Sequence, residues 1–188
     1  MATRDTIVDA ACACLVSSGL GRVTVGAVAR TARVSTALVH YHFATKRRLL
    51  AAAAAALARR RAEGRAAALA GAPGLAGLDA LWSSLGGNAE RTGSDLVLLG
   101  RQDHEARAAL LLERGRERAR IGAALPRWLA GLGARPGVPA EDLAATVCTF
   151  LDGAAAALAA GAPAADVRAS YDAFWLALVA LAQSAGAR

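Results

Sequence analysis

Six small, polar or basic side chains lie close together near the start of the chain, with no acidic residue between them. The set is Thr36, Ala37, His40, Tyr41, His42 and Lys46. Short side chains in the first turn of a helix can reach base edges in a major groove, and imidazole, phenol and ammonium groups farther along can reach phosphate oxygens. These residue types therefore favour non-covalent recognition of a duplex, in which Thr36, Ala37 and His40 would contact bases and the others phosphates.

Three hydroxyl side chains predict the helices that hold this set. Thr24, Ser35 and Thr45 each precede a helical pattern and can accept a hydrogen bond from a first-turn backbone N–H. The helix after Ser35 is only about two turns long, so it needs tertiary packing to keep its shape. Val39 and Phe43 are the apolar residues that would supply this packing. The pattern predicts two short helices joined by a tight turn, the helix-turn-helix arrangement.

The first helix and the tight turn have signals of their own. Apolar residues at helical spacing predict a helix from Thr3 or Arg4 to Ser18, which Gly19 would end in the left-handed conformation. The turn between the second and third helices carries Arg33. If the backbone there needs a positive φ, this arginine costs about 1 kcal/mol relative to glycine.

Positive charge is concentrated at the N-terminal end. Residues 1–65 contain eleven Lys or Arg and three Asp or Glu, whereas residues 66–188 contain eleven and twelve, within a total formal charge of +7. A basic end on a neutral body indicates that one end meets a polyanion. Abundant Ala, Leu and Arg favour helix almost everywhere. We therefore predict an all-α protein of two closely coupled units, a basic N-terminal unit that meets phosphate and a neutral helical body.

Helical patterns continue through the middle of the chain. The fourth helix should run to about Leu69 and stop at residues 71–74, which include Pro73, and a fifth should follow with Leu75, Leu81 and Leu85 on one face.

A short apolar helix should follow Ser94 as its cap, and a long helix from about Glu105 should be broken or kinked near Pro126. Four arginines from Arg114 to Arg120 alternate there with other residues, and with Glu113 and Glu117 they predict a solvated face with ion pairs.

The last two helical patterns are apolar over a wide arc. A lone helical hairpin cannot cover that much apolar surface, so a second helix pair from another copy of the chain is expected. The residues expected at this dimer interface are Leu151, Leu158, Phe174 and Leu178.

Several large side chains could line a ligand pocket in the body of the chain. Ligand pockets are mostly apolar with a few polar groups. The candidates are Trp82, Leu85, His104, Trp128 and Phe150. Ordinary core packing is the alternative for the aromatic residues, and a surface position is the alternative for His104.

Other function classes lack the residues that they need. Cys12, Cys14 and Cys148 have no framework spacing and are expected to be buried small hydrophobes. Neither a metal set, a cofactor motif nor a catalytic constellation is visible, so we expect no enzyme activity and no cofactor. The N-terminus lacks the apolar stretch of a secretory signal, and the longest uncharged segment is too short to span a bilayer. A cytoplasmic protein is expected.

The first 50 residues resemble the tetracycline-repressor (TetR) family of bacterial transcriptional regulators. The positions that agree are Ile7, Ala10, Ala11, Gly19, Thr24, Val25, Val28, Ala29, Ala32, Val34, Ser35, Val39, Phe43, Lys46, Leu49 and Leu50. The resemblance implies a dimeric helical regulator that leaves DNA when a small molecule binds its C-terminal domain. A DNA-binding domain over residues 1–46 would then be joined by a long helix 4 to an effector-binding and dimerisation domain over residues 47–188. It also implies that the DNA contacts are Thr24, Thr36, Ala37, His40, Tyr41, His42 and Lys46. The family usually has glycine where this chain has Arg33 and often tyrosine where it has His40.

The resulting hypothesis is a repressor that a small apolar effector releases from a pseudo-palindromic operator. Its two DNA-binding helices should lie about 34–36 Å apart, one helical turn of DNA. The alternative is a DNA-binding regulator or architectural protein that responds to no small molecule.

Overall fold

The computed structural model describes the backbone of residues 4–71, 74–87 and 92–185 and the side chains of these residues up to Ala182. Over these residues it is helical, with one 3₁₀ turn at Leu20–Arg22 and no strand. The α-helices are α1 (Arg4–Ser18), α2 (Val25–Ala32), α3 (Thr36–His42), α4 (Lys46–Gly71), α5 (Leu75–Leu85), α6 (Gly93–Gln102), α7 (His104–Ala130), α8 (Ala140–Ala159) and α9 (Ala164–Ala185). The predicted all-α class is confirmed, while Thr3 and Pro73 lie outside the described residues.

The chain divides into two compact units, and the two longest helices contribute to both. The first unit comprises Met1–Arg60 and Thr92–Arg114, and the second comprises Arg61–Arg91 and Gly115–Arg188. This division by internal contacts differs from the predicted functional boundary after residue 46, which concerns binding roles and stays a prediction.

The first unit buries a core that is shared by α1, α2, α3, the first half of α4, α6 and the start of α7. Its fully buried members include Ile7, Leu15, Val28, Val39 and Leu49. They recur at helical spacing, so each helix turns one apolar stripe inward and leaves its polar stripe exposed. Burial of these side chains gives the short α2 and α3 the tertiary packing that they need.

Backbone geometry confirms some of the predicted helix ends and corrects others. Gly19 has a positive φ of 74°, but its ψ of 163° is extended, so the predicted left-handed conformation is wrong. The predicted cap Ser94 is also wrong, because α6 already begins at Gly93, behind Thr92. Helix α7 continues through Pro126, so of the predicted break or kink the break does not occur and the kink stays a prediction.

The second unit is built from α5, α8, α9 and the later parts of α4 and α7. Leu81, Ile121, Val147 and Leu151 are fully buried at its centre. Tyr171 donates its hydroxyl hydrogen to the Leu78 carbonyl at 2.8 Å, and burial raises the pKa of this phenol. The buried hydroxyl is therefore satisfied and stays neutral.

A buried ion network joins three helices of the second unit. The Arg65 side chain, on α4, is fully buried, and its Nη1 lies 2.9 Å from both Glu117 Oε1 on α7 and Asp152 Oδ1 on α8. Arg61 adds longer pairs to the same carboxylates, at 3.9 Å and 3.6 Å. The prediction that Glu113 and Glu117 lie on a solvated face is wrong, since both are buried. Glu117 is turned inward because a buried guanidinium compensates its charge.

One described helix, α8, is long and apolar enough to cross a membrane by length and composition alone, with a mean hydropathy of 1.4. It packs Val147, Cys148 and Leu151 into the second core and places Asp152 in the ion network. These contacts are those of a core helix in a globular protein.

Candidate nucleic-acid interface

Helix α3 presents the predicted contact residues because its opposite face is anchored in the core. Val39 and Phe43 are 1% and 3% exposed. Thr36, Ala37 and His40 point away from them and are exposed. Val39 and Phe43 are four positions apart and form one buried stripe, so side chains that point to other sides of the helix are displayed to solvent. The N-terminal turn of α3 is therefore accessible for contact with a ligand outside the unit.

The start of α3 is fixed by a side-chain cap. Leu38 donates its N–H to Ser35 Oγ at 3.1 Å, as Ala27 does to Thr24 Oγ1 at the start of α2, also at 3.1 Å. Both predicted caps are confirmed. The Thr24 side chain is exposed, and while its oxygen accepts this bond its hydroxyl hydrogen can still be donated to a phosphate.

The turn between α2 and α3 depends on one strained residue. Arg33 has φ 56° and ψ 44°, and it is the one non-glycine residue with positive φ in the described parts of the chain. Its N–H bonds to Arg30 O at 3.1 Å, and the next N–H, of Val34, bonds to Ala29 O at 2.9 Å. These two bonds form a Schellman motif, whose left-handed position is normally glycine. The turn therefore does need a positive φ at this position, and Arg33 adopts it.

The end of α3 carries the aromatic members of the set. Tyr41 is 82% exposed, and its ring makes an edge-on contact with the half-buried His42 at 5.2 Å between centroids. The Arg4 guanidinium lies 4.8 Å from the centroid of the Phe43 ring. The Tyr41 phenol thus extends into solvent beside an imidazole, within a helix that Phe43 holds to the core.

Helix α4 begins beside α3 with three consecutive cations in different surroundings. Arg48 N–H bonds to Thr45 Oγ1 at 3.2 Å, which confirms the third predicted cap. Lys46 is exposed and makes no ion pair with any residue that the structure describes. Arg47 Nε lies 2.5 Å from Asp103 Oδ2, and Arg48 Nε lies 3.8 Å from Glu105 Oε2. Lys46 is therefore the cation of the three that is open to an external anion.

Asp103 is a positioning residue that the sequence analysis missed. Its Oδ1 accepts the Ala106 N–H at 2.9 Å and so caps α7, while its Oδ2 accepts from Arg47. The Ala106 N–H and then the Arg47 guanidinium hold the pKa of Asp103 below its usual value, and the carboxylate raises the pKa of Arg47. An aspartate three residues before a helical N–H is a recognisable cap signal. The expected helix start at about Glu105 was one residue later than the actual start at His104, and Asp103 was not identified as its cap.

The aromatic residues predicted to line a ligand pocket are packed against one another in the second unit. Trp128 is 2% exposed, donates its indole N–H to Gly74 O at 2.9 Å and meets Trp175 at 5.1 Å between centroids. Trp82 contacts Tyr171, and Phe150 stacks on Phe174 at 3.9 Å. Their pocket role stays a prediction, and in this structure their faces meet other side chains.

The other two pocket candidates differ in their surroundings. Leu85 is 1% exposed within the second core, whereas His104 is exposed and belongs to the first unit, at the start of α7. His104 is therefore not a member of the aromatic cluster.

The predicted dimer residues divide into buried and half-buried positions. Leu151 is 0% and Leu178 is 7% exposed within their own unit, so their side chains contribute to the protomer core. Leu158 and Phe174 are half-buried. The large exposed apolar side chains of α9 are Leu176 and Leu181, which were not among the predicted interface residues.

The structure confirms the predicted state of the cysteines. Cys12, Cys14 and Cys148 are buried and make no disulfide. Burial raises the pKa of Cys12, whose thiol contacts the Ala53 carbonyl at 3.4 Å. No cluster of His, Cys, Asp or Glu among the described residues could hold a metal ion.

Comparison with known proteins gives a family match for the N-terminal residues and similar solved structures for nearly the whole chain. Residues 7–53 match the family described as bacterial regulatory proteins, tetR family. A TetR-family transcriptional regulator from Rhodococcus sp. has a similar structure, with 19% identity and a TM-score of 0.75 over 94% of this chain and 97% of that one. The comparison with curated protein sequences found no match.

Two further solved structures contain ligands. The multidrug binding protein EbrR, complexed with proflavin, is 24% identical, with a TM-score of 0.61 over 95% of this chain and 98% of that one. A transcriptional regulator from Saccharomonospora viridis, in complex with choline, is 19% identical, with a TM-score of 0.60 over 91% and 94%. Residues 7–53 therefore belong to the TetR family of bacterial regulatory proteins, and the chain as a whole has the fold of TetR-family transcriptional regulators.

Proposed function

We propose that this protein is a ligand-responsive transcriptional repressor that binds a pseudo-palindromic operator as a homodimer. The observation that carries the proposal is the exposed N-terminal turn of α3, held by a capped and core-anchored helix beside the open cation Lys46. The DNA-binding part is residues 1–46 and the effector-binding and dimerisation part is residues 47–188. The protein would act in the cytoplasm, where the DNA of a bacterium lies.

The proposed contacts divide by chemistry. Thr36, Ala37 and His40 read base edges, because they occupy the exposed first turn and a half of α3. Phosphate oxygens accept hydrogen bonds from the remaining four side chains and fix the register of the helix in the groove. These are Thr24, Tyr41, His42 and Lys46.

A twofold assembly would supply the second DNA-binding helix. Helices α8 and α9 are proposed to pair with their copies in a partner subunit, through the half-buried Leu158 and Phe174 together with the exposed Leu176 and Leu181. Closed twofold dimers are the commonest soluble oligomers, and a palindromic operator mirrors that symmetry. The separation of the two α3 helices would need to be about 34–36 Å.

Effector response is proposed from the ligands of similar structures and from the continuity of α4. EbrR and the Saccharomonospora regulator were solved with proflavin and with choline. In this chain α4 contributes turns to both compact units. A ligand that favours one position of the later part of α4 would shift the population of DNA-binding dimers, with coupling equal in both directions.

The test is a titration of the full-length protein against duplexes from its own promoter region and against shuffled duplexes of the same composition, at several salt concentrations. A specific operator should bind at least a thousandfold more tightly than the shuffled control, with affinity falling as salt rises. Equal affinity for both duplexes, or binding that is indifferent to salt, contradicts the proposal. Light scattering of the complex should give two protein chains for each operator.

One observation favours an architectural protein as the second candidate. Two of the aromatic side chains expected to line a pocket pack against other rings of the second unit, as the stacked Phe150 and Phe174 and the contact of Trp82 with Tyr171 illustrate. A regulator without an effector would bind its operator and show no change in operator affinity with any small molecule. Release of the operator by one compound, with a response that saturates as the compound concentration rises, excludes this candidate.

A further inference from the structure

A groove lies within the second unit, beside Trp128 of the aromatic cluster. It has a volume of about 570 Å³, within the range of about 300–1,000 Å³ that is usual for small-molecule sites. Its lining comes from the later turns of α4 and α7. The residues are Ala66, Ala67, Leu69, Ala70, Arg120, Ala123, Ala124, Arg127 and Trp128.

The cationic residues of this groove are poorly neutralised. Arg120 Nη1 is buried and has no hydrogen-bond partner among the described residues, and Arg120 Nη2 lies 3.7 Å from Glu63, a long pair. Arg127, two turns later on the same face of α7, is exposed and makes neither an ion pair nor a hydrogen bond within the described chain. A buried guanidinium nitrogen without an acceptor is costly, and a carboxylate would satisfy it.

The rest of the lining is apolar. Five of the lining residues are alanines, which form a narrow channel because their side chains are short, and Leu69 and Trp128 complete it. From Arg120 to Arg127 the helix advances about 10 Å, so an extended aliphatic chain can lie along the alanines while its head group meets a guanidinium. The lining thus combines the guanidinium groups of Arg120 and Arg127 with a continuous apolar surface.

We propose that this groove binds an amphipathic carboxylate, a molecule with an unbranched aliphatic chain and one anionic head, and that Arg120 is the residue that receives the head. Two guanidinium groups with an alanine trough complement such an anion in charge and shape. The inference rests on the proposed function, for which it names the effector class. It differs from the small apolar effector expected from the sequence, because that expectation did not place any arginine against a groove.

The experiment uses full-length protein and decanoate, with decanol as the neutral probe of the same length and choline as a cationic probe. Binding is followed by calorimetry and by tryptophan fluorescence, since Trp128 lines the groove. Decanoate should bind, and decanol and choline should bind at least tenfold more weakly.

The matched variants are Arg120→Met, Arg127→Met and the control Arg118→Met, an exposed position of the same helix outside this groove. Hydrogen bonds to charged groups are worth enough that loss of Arg120 should weaken decanoate binding about tenfold to a hundredfold. Arg127→Met should weaken it less, and Arg118→Met should leave it unchanged. Circular dichroism shows whether each variant is folded. If Arg120→Met does not fold, the test uses Arg127→Met.

Several results overturn the inference: decanol binding as tightly as decanoate, preference for choline, no decanoate binding, or equal affinity in all three variants. Operator binding is measured on the same samples. Intact operator binding with no response to decanoate refutes the effector class alone, whereas loss of sequence-specific DNA binding in the unmodified protein refutes the proposed function itself.

Discussion

Replacing Arg33 with glycine should stabilise the protein, because the backbone there is left-handed. With φ 56° and ψ 44°, the arginine Cβ crowds the carbonyl oxygen. This costs about 1–2 kcal/mol for an L-residue, whereas glycine pays none of it. Glycine also raises the conformational entropy of the unfolded chain, and this offsets about 0.4–1 kcal/mol of the gain in stability. The expected net gain of about 0.5–1 kcal/mol corresponds to a rise in Tm of about 1–4 °C for a chain of this length.

Two control variants separate strain from charge. Arg30→Gly removes the same charge from an exposed position inside α2, where glycine costs about 1 kcal/mol, so this variant should lose stability. Arg33→Ala removes the charge but keeps the Cβ, so it should stay close to the original protein. The measurement is urea unfolding followed by circular dichroism, with thermal unfolding as the second method.

The outcome can refute the reasoning in two ways. If Arg33→Gly unfolds at lower urea concentration than the original protein, the left-handed backbone is not the dominant cost at this turn. If Arg33→Ala gains as much stability as Arg33→Gly, relief of charge repulsion and not of backbone strain is the cause.

Three further predictions concern binding, pH and the buried network. Lys46→Ala should weaken binding to operator and shuffled DNA alike and reduce the salt slope by about 1, whereas His40→Ala should cost about 1–3 kcal/mol on the operator alone, as measured by fluorescence anisotropy. Asp103→Asn should destabilise the protein at pH 7. Because the pKa of Asp103 is lowered on folding, its contribution is fully present above the ordinary aspartate pKa of about 4 and is lost as the pH falls from there through the lowered pKa, so the urea midpoints of variant and original should converge as the pH is lowered below about 4. Arg65→Met should destabilise by about 3–5 kcal/mol in chemical unfolding, and adding Glu117→Leu should recover part of that loss.

The parts of the fold that the sequence predicts well are those fixed by neighbours along the chain. A helix cap needs only an oxygen and an N–H three residues later, so Thr24, Ser35 and Thr45 could be identified without tertiary information. The exposed face of α3 likewise follows from the spacing of Val39 and Phe43. Much of the candidate DNA interface could therefore be predicted.

Features set by distant residues could not be found in this way. Glu117 looks like a member of a solvated charge run, and it is buried because Arg65, 52 positions away, faces it. The Asp103 pair with Arg47 joins residues 56 positions apart. Helical spacing predicts on which side of its own helix a side chain lies. It does not predict which charged residue of another helix packs against that side.

The dimer residues show a related limit. An apolar residue at helical spacing gives the same signal whether it faces its own core or a partner subunit. Leu151 and Leu178 carried that signal and lie in the protomer core, while Leu176 and Leu181, about 70% exposed, lie outside it. Only the packing of the neighbouring helices separates the two cases.

A count of cations along the sequence overstates the charge that DNA would meet at the start of α4. Arg47 and Arg48 have side chains 63% and 61% exposed, yet each faces a carboxylate. Asp103 stays in place as the cap of α7, so a phosphate that took Arg47 would leave a nearly buried carboxylate without its guanidinium. Lys46 has no such competitor within the described chain. At this helix start, phosphate binding without displacement of a protein anion therefore depends on Lys46 and the backbone N–H groups beside it.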